Sequence, residues 1–161
     1  MATISYCRLN EVNKDEIISL MNCPQVGQLL PLLTEPFTTE ICEHFVAAKE
    51  QLWAEHGYGP KAVLIDDAFA GWGGLQAEEG EVDFALILHP TYWGYGRRIY
   101  ADFLHDAFVL MNVPSITVLF PPTRTNQRAI SRLGFVSDGQ VNVDGHSFHR
   151  YRLMNPSAQT Q

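Results

Sequence analysis

The segment Ile87-Leu88-His89-Pro90-Thr91-Tyr92-Trp93-Gly94-Tyr95-Gly96-Arg97-Arg98 decides how this chain is read. It extends an apolar run from Val82 that predicts a buried strand. It leads into a stretch from about Arg97 to Met111 with one wide apolar face, built on Ile99, Phe103, Ala107 and Leu110, that predicts a helix. A strand therefore enters a loop with two glycines, and a helix starts at once. The main-chain N–H groups of such a loop, with the partial positive charge of the helix start, predict a cradle for a pyrophosphate. A Cβ at Gly94 or Gly96 would hold the phosphate away or forbid the needed φ. Arg97 and Arg98 stand where they can add charge-assisted bonds. The spacing is not a dinucleotide fingerprint, because Ile99 occupies the third glycine position, and no Gly-Lys-Ser/Thr follows. Two glycines alone also fit a plain tight turn.

Outward from this segment, the pattern predicts β-α-α-β-β-β-α-β-α-β-β. Thr3 to Leu9 alternates as a strand, and Asn13-Lys14-Asp15-Glu16 opens a helix that runs to about Asn22. The stretch Gln25 to Phe37 is apolar but broken by Gly27, Pro31 and Pro36, and stays ambiguous. A second helix starts near Thr38 or Thr39, carries an apolar stripe of Ile41, Phe45, Ala48 and Leu52, and is stopped by Gly57 and Gly59. Strands follow at 62–65, 69–76 and 82–88, then the helix, then a strand at 116–120. A short helix spans about Thr123 to Leu133, and a hairpin turns at Asp144-Gly145. One strand-helix-strand unit inside an antiparallel meander implies an α/β (α+β mixed) fold, with a mixed sheet and helices on both faces. Residues 1–154 are expected to form one domain and 155–161 a frayed tail.

The chain has 161 residues, a net charge of −7 and 46% apolar residues, which suits a folded domain. No apolar run exceeds five residues, far from the length of a membrane-spanning helix. No secretory signal is evident, and three scattered cysteines suit a reducing, cytoplasmic setting rather than a disulfide framework or a zinc site. Residues 1–83 carry 4 basic and 14 acidic side chains, while residues 84–161 carry 7 arginines and 4 acids. This asymmetry fits either solvated faces or a phosphate-bearing ligand near the second half and a cationic partner near the first. Nucleic-acid binding is disfavoured by the overall sign.

The 88–96 loop resembles the acyl-CoA-binding motif of the GNAT superfamily of N-acyltransferases, Gln/Arg-x-x-Gly-x-Gly/Ala, here Thr91-Tyr92-Trp93-Gly94-Tyr95-Gly96. The run from Leu88 is similar to the branch of ribosomal-protein N-terminal acetyltransferases. A second motif, a short helix ending in Leu-Gly-Phe, is matched by Asn126 to Phe135. The resemblance covers about residues 3–153 and implies a mostly antiparallel central sheet of about seven strands. It further implies acetyl-CoA as co-substrate, a primary amine as acceptor, no metal, and a possible homodimer. The cofactor-binding residues it implies are Ile87, Leu88, His89, Tyr92, Trp93, Gly94, Tyr95, Gly96, Arg97 and Arg98. The family's asparagine falls on Thr123, with Asn126 at its small-residue position, or else on Asn126 itself. The tyrosine that many members use to protonate the leaving thiolate is replaced by Ile130, and the usual Gln/Arg by Thr91.

An alkyl ammonium must lose a proton before it attacks a thioester, so a base is required. Glu81 and Asp83 lie two apart on one strand face and are the candidates, Asp83 being where the family often carries an acid. Ser131 is a candidate donor to the thiolate. His89 shares the face of the two acids but sits beside Pro90. Tyr92, Trp93 and Tyr95 are expected to pack the loop, with ligand stacking as the alternative. Trp53, His56 and Trp72 flank a region that suits either core or acceptor pocket. Arg124 and Arg128 stand four apart, where they can meet an outer phosphate. The acidic first half suggests a cationic acceptor. A non-catalytic acyl-CoA sensor and a nucleotide-binding domain are the competing readings.

Overall fold

The computed structural model describes residues 1–122 and 127–157. Seven strands form one sheet in the order β1-β2-β3-β4-β5-β7-β6. They are β1 (Ile4–Cys7), β2 (Lys61–Ile65), β3 (Ala68–Glu78), β4 (Glu81–Leu88), β5 (Ser115–Phe120), β6 (Val136–Val143) and β7 (His146–Met154). All neighbours are antiparallel except β4 and β5, which are joined by the helical crossover and run parallel. The mixed, mostly antiparallel sheet expected from the sequence is thus present.

One face is covered by α1 (Lys14–Met21), the single turn α2 (Pro24–Gly27) and α3 (Thr39–His56). Their apolar side chains, led by Ile17, Val26, Phe37 and Cys42, pack on Ala62, Trp72 and Ile87 of the sheet. The other face is covered by α4 (Gly96–His105) and by Ile130 of α5 (Gln127–Arg132). Ile99 and Phe103 of α4 pack there on Val63, Ile65, Ala70 and Leu88.

Local chemistry sets the boundaries. Asn13 accepts the Asp15 N–H at 2.8 Å to open α1, and Thr38 accepts the Ile41 N–H at 3.2 Å to open α3. Asp144 (φ 50°) and Gly145 (φ 81°) make the two-residue turn of the last hairpin.

The structure adds three details to the expected order of elements. The long helix does not continue regularly to Met111. Its last turn, Asp106–Leu110, is a π turn closed by the Met111 N–H on the Asp106 carbonyl. The extra residue rotates Leu110 off the buried face, leaving it 69% exposed. The ambiguous 25–37 stretch is tied down at its far end by Asn22. Its side chain accepts the Phe37 N–H (2.8 Å) and donates to the Phe37 carbonyl (2.9 Å), which fixes that aromatic ring. Asn155, expected in the tail, is tied to the domain: it is buried, takes its own N–H to Pro114 and donates its side chain to Val113 and Phe108.

Candidate active site

The parallel pair β4/β5 meets at one point only, Asp83 opposite Thr117. Each strand is committed on its other side. β4 follows β3 from Glu81 to Leu88, and β5 follows β7 from Ser115 to Phe120. Sheet twist therefore pulls the two strands apart beyond the vertex. The side chains seal the closed end. Thr117 Oγ1 donates to Asp83 Oδ1 at 2.7 Å. Behind it, Arg152 of β7 reaches across β5, donating to Glu81 at 2.7 and 3.0 Å and to Ser115 at 2.7 Å.

At the open end lies a cavity of about 620 Å³, lined from both faces of the sheet. Gly96, Arg97 and Tyr100 line it from α4, and Met21, Phe45 and Trp72 from the opposite face. His89 donates its N–H to Ala70 of β3 at 2.9 Å. Strand alternation then turns the N–H groups of Leu86 and Leu88 away from β3, into the gap.

Asp83 is the buried acid of this cavity, at 4% exposure. Burial pushes its carboxyl up to about 7; the Thr117 bond opposes the shift, and nearby Glu78 reinforces it. Lys49 of α3 lies close by, donates to Gln76 Oε1 at 2.9 Å, and sits over the rings of Trp72 and Phe45 at 5.0 and 5.5 Å. Burial lowers its ammonium below the ordinary lysine range, while Glu78 and Asp83 pull the other way. Burial likewise raises Glu78. These acids and the base all move toward neutrality because desolvation outweighs their mutual attraction.

Glu81 does not share this environment. The hydrogen bonds from Arg152 hold its carboxyl below the usual range, so it is a poor proton acceptor and a structural anion instead. Ser131 lies on the exposed side of α5, while Ile130 and Leu133 of that region line the cavity. His89 is exposed, its Nδ1 accepting the Thr91 N–H at 3.2 Å. Trp72 lines the cavity, but Trp53 does not, its indole N–H going to Pro60. Thr123, Arg124 and Asn126 lie outside the described residues.

The glycine loop is tighter than an open cradle. Pro90–Tyr95 winds as a 3₁₀ turn in which Tyr92 donates to the His89 carbonyl and Gly96 to the Trp93 carbonyl. Helix geometry leaves the N–H groups of Arg97 and Arg98 without acceptors inside α4. Gly96 has φ −56° and Gly94 is not in the left-handed region, so neither glycine is needed for its φ. What both provide is space: a Cβ on either would meet nothing within 4 Å. Arg97 lines the cavity, whereas Arg98 donates to the Ala2 carbonyl at 3.1 Å. Trp93 latches the turn by donating its indole N–H to the Leu88 carbonyl at 2.9 Å. Tyr92 and Tyr95 pack on the α4 core. The residues present thus fit a diphosphate at the start of α4 and a narrow acyl arm between the splayed strands. Among the described residues no cluster of His, Cys, Asp or Glu is arranged to hold a metal.

Lys49, Thr117, Gln76 and Tyr100 were not singled out from the sequence as site residues. Lys49 was findable: it stands four residues after Phe45, a charge beside an apolar stripe. Thr117 likewise interrupts the apolar run 116–120.

The sheet is splayed at one parallel pair, with a helix start at its mouth. The family model described as acetyltransferase (GNAT) domain matches residues 8–136, and the chain belongs to that family. No curated protein matches the sequence significantly. Among solved structures, an acetyltransferase from Agrobacterium tumefaciens superposes with a TM-score of 0.74 at 15% identity, over 93% of this chain and 90% of that one. The ribosomal L7/L12 alpha-N-protein acetyltransferase RimL, in complex with coenzyme A, gives 0.73 at 17% identity, over 94% of each chain. A point mutant of the spermidine N-acetyltransferase SpeG from Vibrio cholerae gives 0.65 at 15% identity, over 98% of this chain and 96% of that one. At these identities the likeness is one of fold.

Proposed function

We propose that this protein transfers the acetyl group of acetyl-CoA directly to a primary amine, with Asp83 as proton acceptor. The observation that carries the reading is a buried carboxyl poised near neutrality at the vertex of the β4/β5 gap. When bound, acetyl-CoA supplies an activated acyl carbon whose C–S bond breaks as the new C–N bond forms. The start of α4, with Arg97, holds the phosphates through main-chain N–H groups and charge. The N–H groups of Leu86 and Leu88 donate to the acyl carbonyl and steady the charge it gains. Asp83 takes the proton that the ammonium must shed, and its carboxyl near 7 suits that task at neutral pH. Glu81 and Arg152 keep the vertex closed, so that the amine approaches from the α1–α3 face, where Asp83 lies with Trp72 and Gln76.

A second reading is an acyl-CoA sensor without turnover. It is favoured by Ile130, an apolar residue at the position where the family's thiolate-protonating tyrosine is expected. A thiol-release assay with acetyl-CoA and a panel of amines separates the two. Turnover that falls sharply in Asp83→Asn supports the transferase. Acetyl-CoA binding without release for any amine supports the sensor.

A further inference from the structure

We infer that the acceptor is a small monoamine carrying one apolar group, aryl or branched alkyl, and not a polycation or a charged peptide terminus. This rests on the transferase reading above and adds the chemistry of the second substrate.

The wall that faces Asp83 across the α1–α3 side of the cavity is apolar. Leu29, Leu32, Leu33, Phe37, Phe45 and Trp72 contribute to it. Their polar handles are already taken: the Trp72 indole N–H points to Met21 Sδ at 3.4 Å, and the Phe37 main chain is bonded by Asn22. Phe45 packs edge-on against both Phe37 (5.6 Å) and Trp72 (5.1 Å), which makes one aromatic surface. A body that buries itself against these side chains gains from lost water contact, and their rings and branches offer it no free hydrogen-bonding group.

A second charge on the acceptor would be poorly served. On this side the charged residues that line the cavity are Glu78 and Asp83, among the described residues. Burial raises both carboxyls above the ordinary range, which weakens each as an anionic partner. The faces of Phe45 and Trp72, the natural seat for an extra ammonium, already carry the Lys49 Nζ at 5.5 and 5.0 Å. A polyamine would bring its second ammonium against that cation. Three of the 14 acidic residues that suggested a cationic acceptor are engaged elsewhere: Glu50 with Arg8, Glu43 with Lys14, and Glu81 with Arg152.

The test is calorimetric titration of the full chain, saturated with CoA, with 2-phenylethylamine, isoamylamine, spermidine and a Ser-Ala dipeptide amide. The two apolar monoamines are expected to bind at least about tenfold tighter than the other two. Phe45→Ala should erase most of that preference while the affinity for CoA alone stays unchanged. Leu32→Ser, at a residue 42% exposed, should weaken it in the same direction without risk to the fold. Spermidine or the dipeptide binding as tightly as the monoamines overturns the inference, as does a preference untouched by both variants. Thiol release is followed separately. Its absence with tight monoamine binding sinks the transferase reading alone, and its presence only with spermidine sinks this inference alone.

Discussion

Replacing Asp83 with asparagine tests the centre of the mechanism through two independent readouts. The carboxyl sits at about 7 in the folded protein against an ordinary 3.8. Between those pH values the native state holds a proton that the unfolded chain has released. Native stability therefore falls as pH rises through that window and is level above it. A displacement of about three pKa units corresponds to about 4 kcal/mol. The amide oxygen of the variant can still accept from Thr117, and it never ionises. Its own burial costs about 1–3 kcal/mol, so Asp83→Asn should gain about 1–3 kcal/mol on the native protein at pH 8. At pH 4 that gain should vanish or reverse. Urea melts at the two pH values measure this directly. Activity should move the opposite way. Loss of a general base lowers kcat/KM by about 10²–10⁴, and the rising limb of the pH profile near 7 should disappear with it. A variant that keeps its activity, with the same limb near neutrality, refutes the assignment of Asp83 as base. A stability change of equal size at pH 4 and pH 8 refutes the claim that this carboxyl is held protonated.

Three other contacts are open to the same kind of test. Gly96→Ala places a methyl in open space at a helical φ, so thermal stability should hold or rise by about 0.5–1 kcal/mol while acetyl-CoA affinity drops about tenfold; unchanged affinity by calorimetry would move the diphosphate elsewhere. Glu81→Gln loosens the Arg152 staple and should cost about 1 kcal/mol at pH 7. The Glu81 carboxyl is depressed by Arg152, so its contribution is present above the ordinary carboxylate range and lost in acid; the difference between native and variant melts should shrink toward about pH 3. Among the described residues the buried Tyr100 hydroxyl has no hydrogen-bond partner, and burial pushes it up to about 12. Tyr100→Phe should therefore leave the melting temperature unchanged or raise it, and a clear fall in a thermal melt would contradict that description.

Much of the fold was legible because its elements carry local signals. The cap at Asn13, the cap at Thr38, the stop at Gly57 and the Asp144-Gly145 turn are chemical features of single residues, and each appears where read. The π turn at Asp106–Leu110 was not legible, since the apolar spacing of 107–111 satisfies a regular helix equally well. At the site, Asp83 and Glu81 look equivalent on paper, two acids on one strand face. What separates them is Arg152, 71 positions later, which reaches Glu81 and not Asp83. Several arginines of the second half are told apart in the same way. Arg150 and Arg152 serve Asp138 and Glu81, and Arg98 serves a main-chain carbonyl at the N-terminus. Arg97, which does line the cavity, has the same sequence context as its neighbour. Long-range pairing decides these cases, and no periodicity encodes it.

The closing of the sheet and the chemistry of the cavity depend on one short stretch of β4. Glu81 and Asp83 occupy successive positions on the same face, and so do Ser115 and Thr117 on β5. At the outer pair, Arg152 supplies a cation that bridges the strands and keeps Glu81 ionised. At the inner pair no cation among the described residues bonds the carboxylate directly, Lys49 acting on it only from a distance; the hydroxyl of Thr117 is the bridge, and Asp83 is left desolvated. The step from a charged staple to a neutral one is also the step from closed sheet to open gap. A cation at the inner pair would hold the strands together as firmly, but it would pull the carboxyl of Asp83 down and leave a weak base. A hydroxyl bridge fixes the vertex while letting the acid keep its proton affinity. In the proposed mechanism, the splay that would admit the acyl arm and the basicity that the amine would require thus follow from the same choice of partner for Asp83.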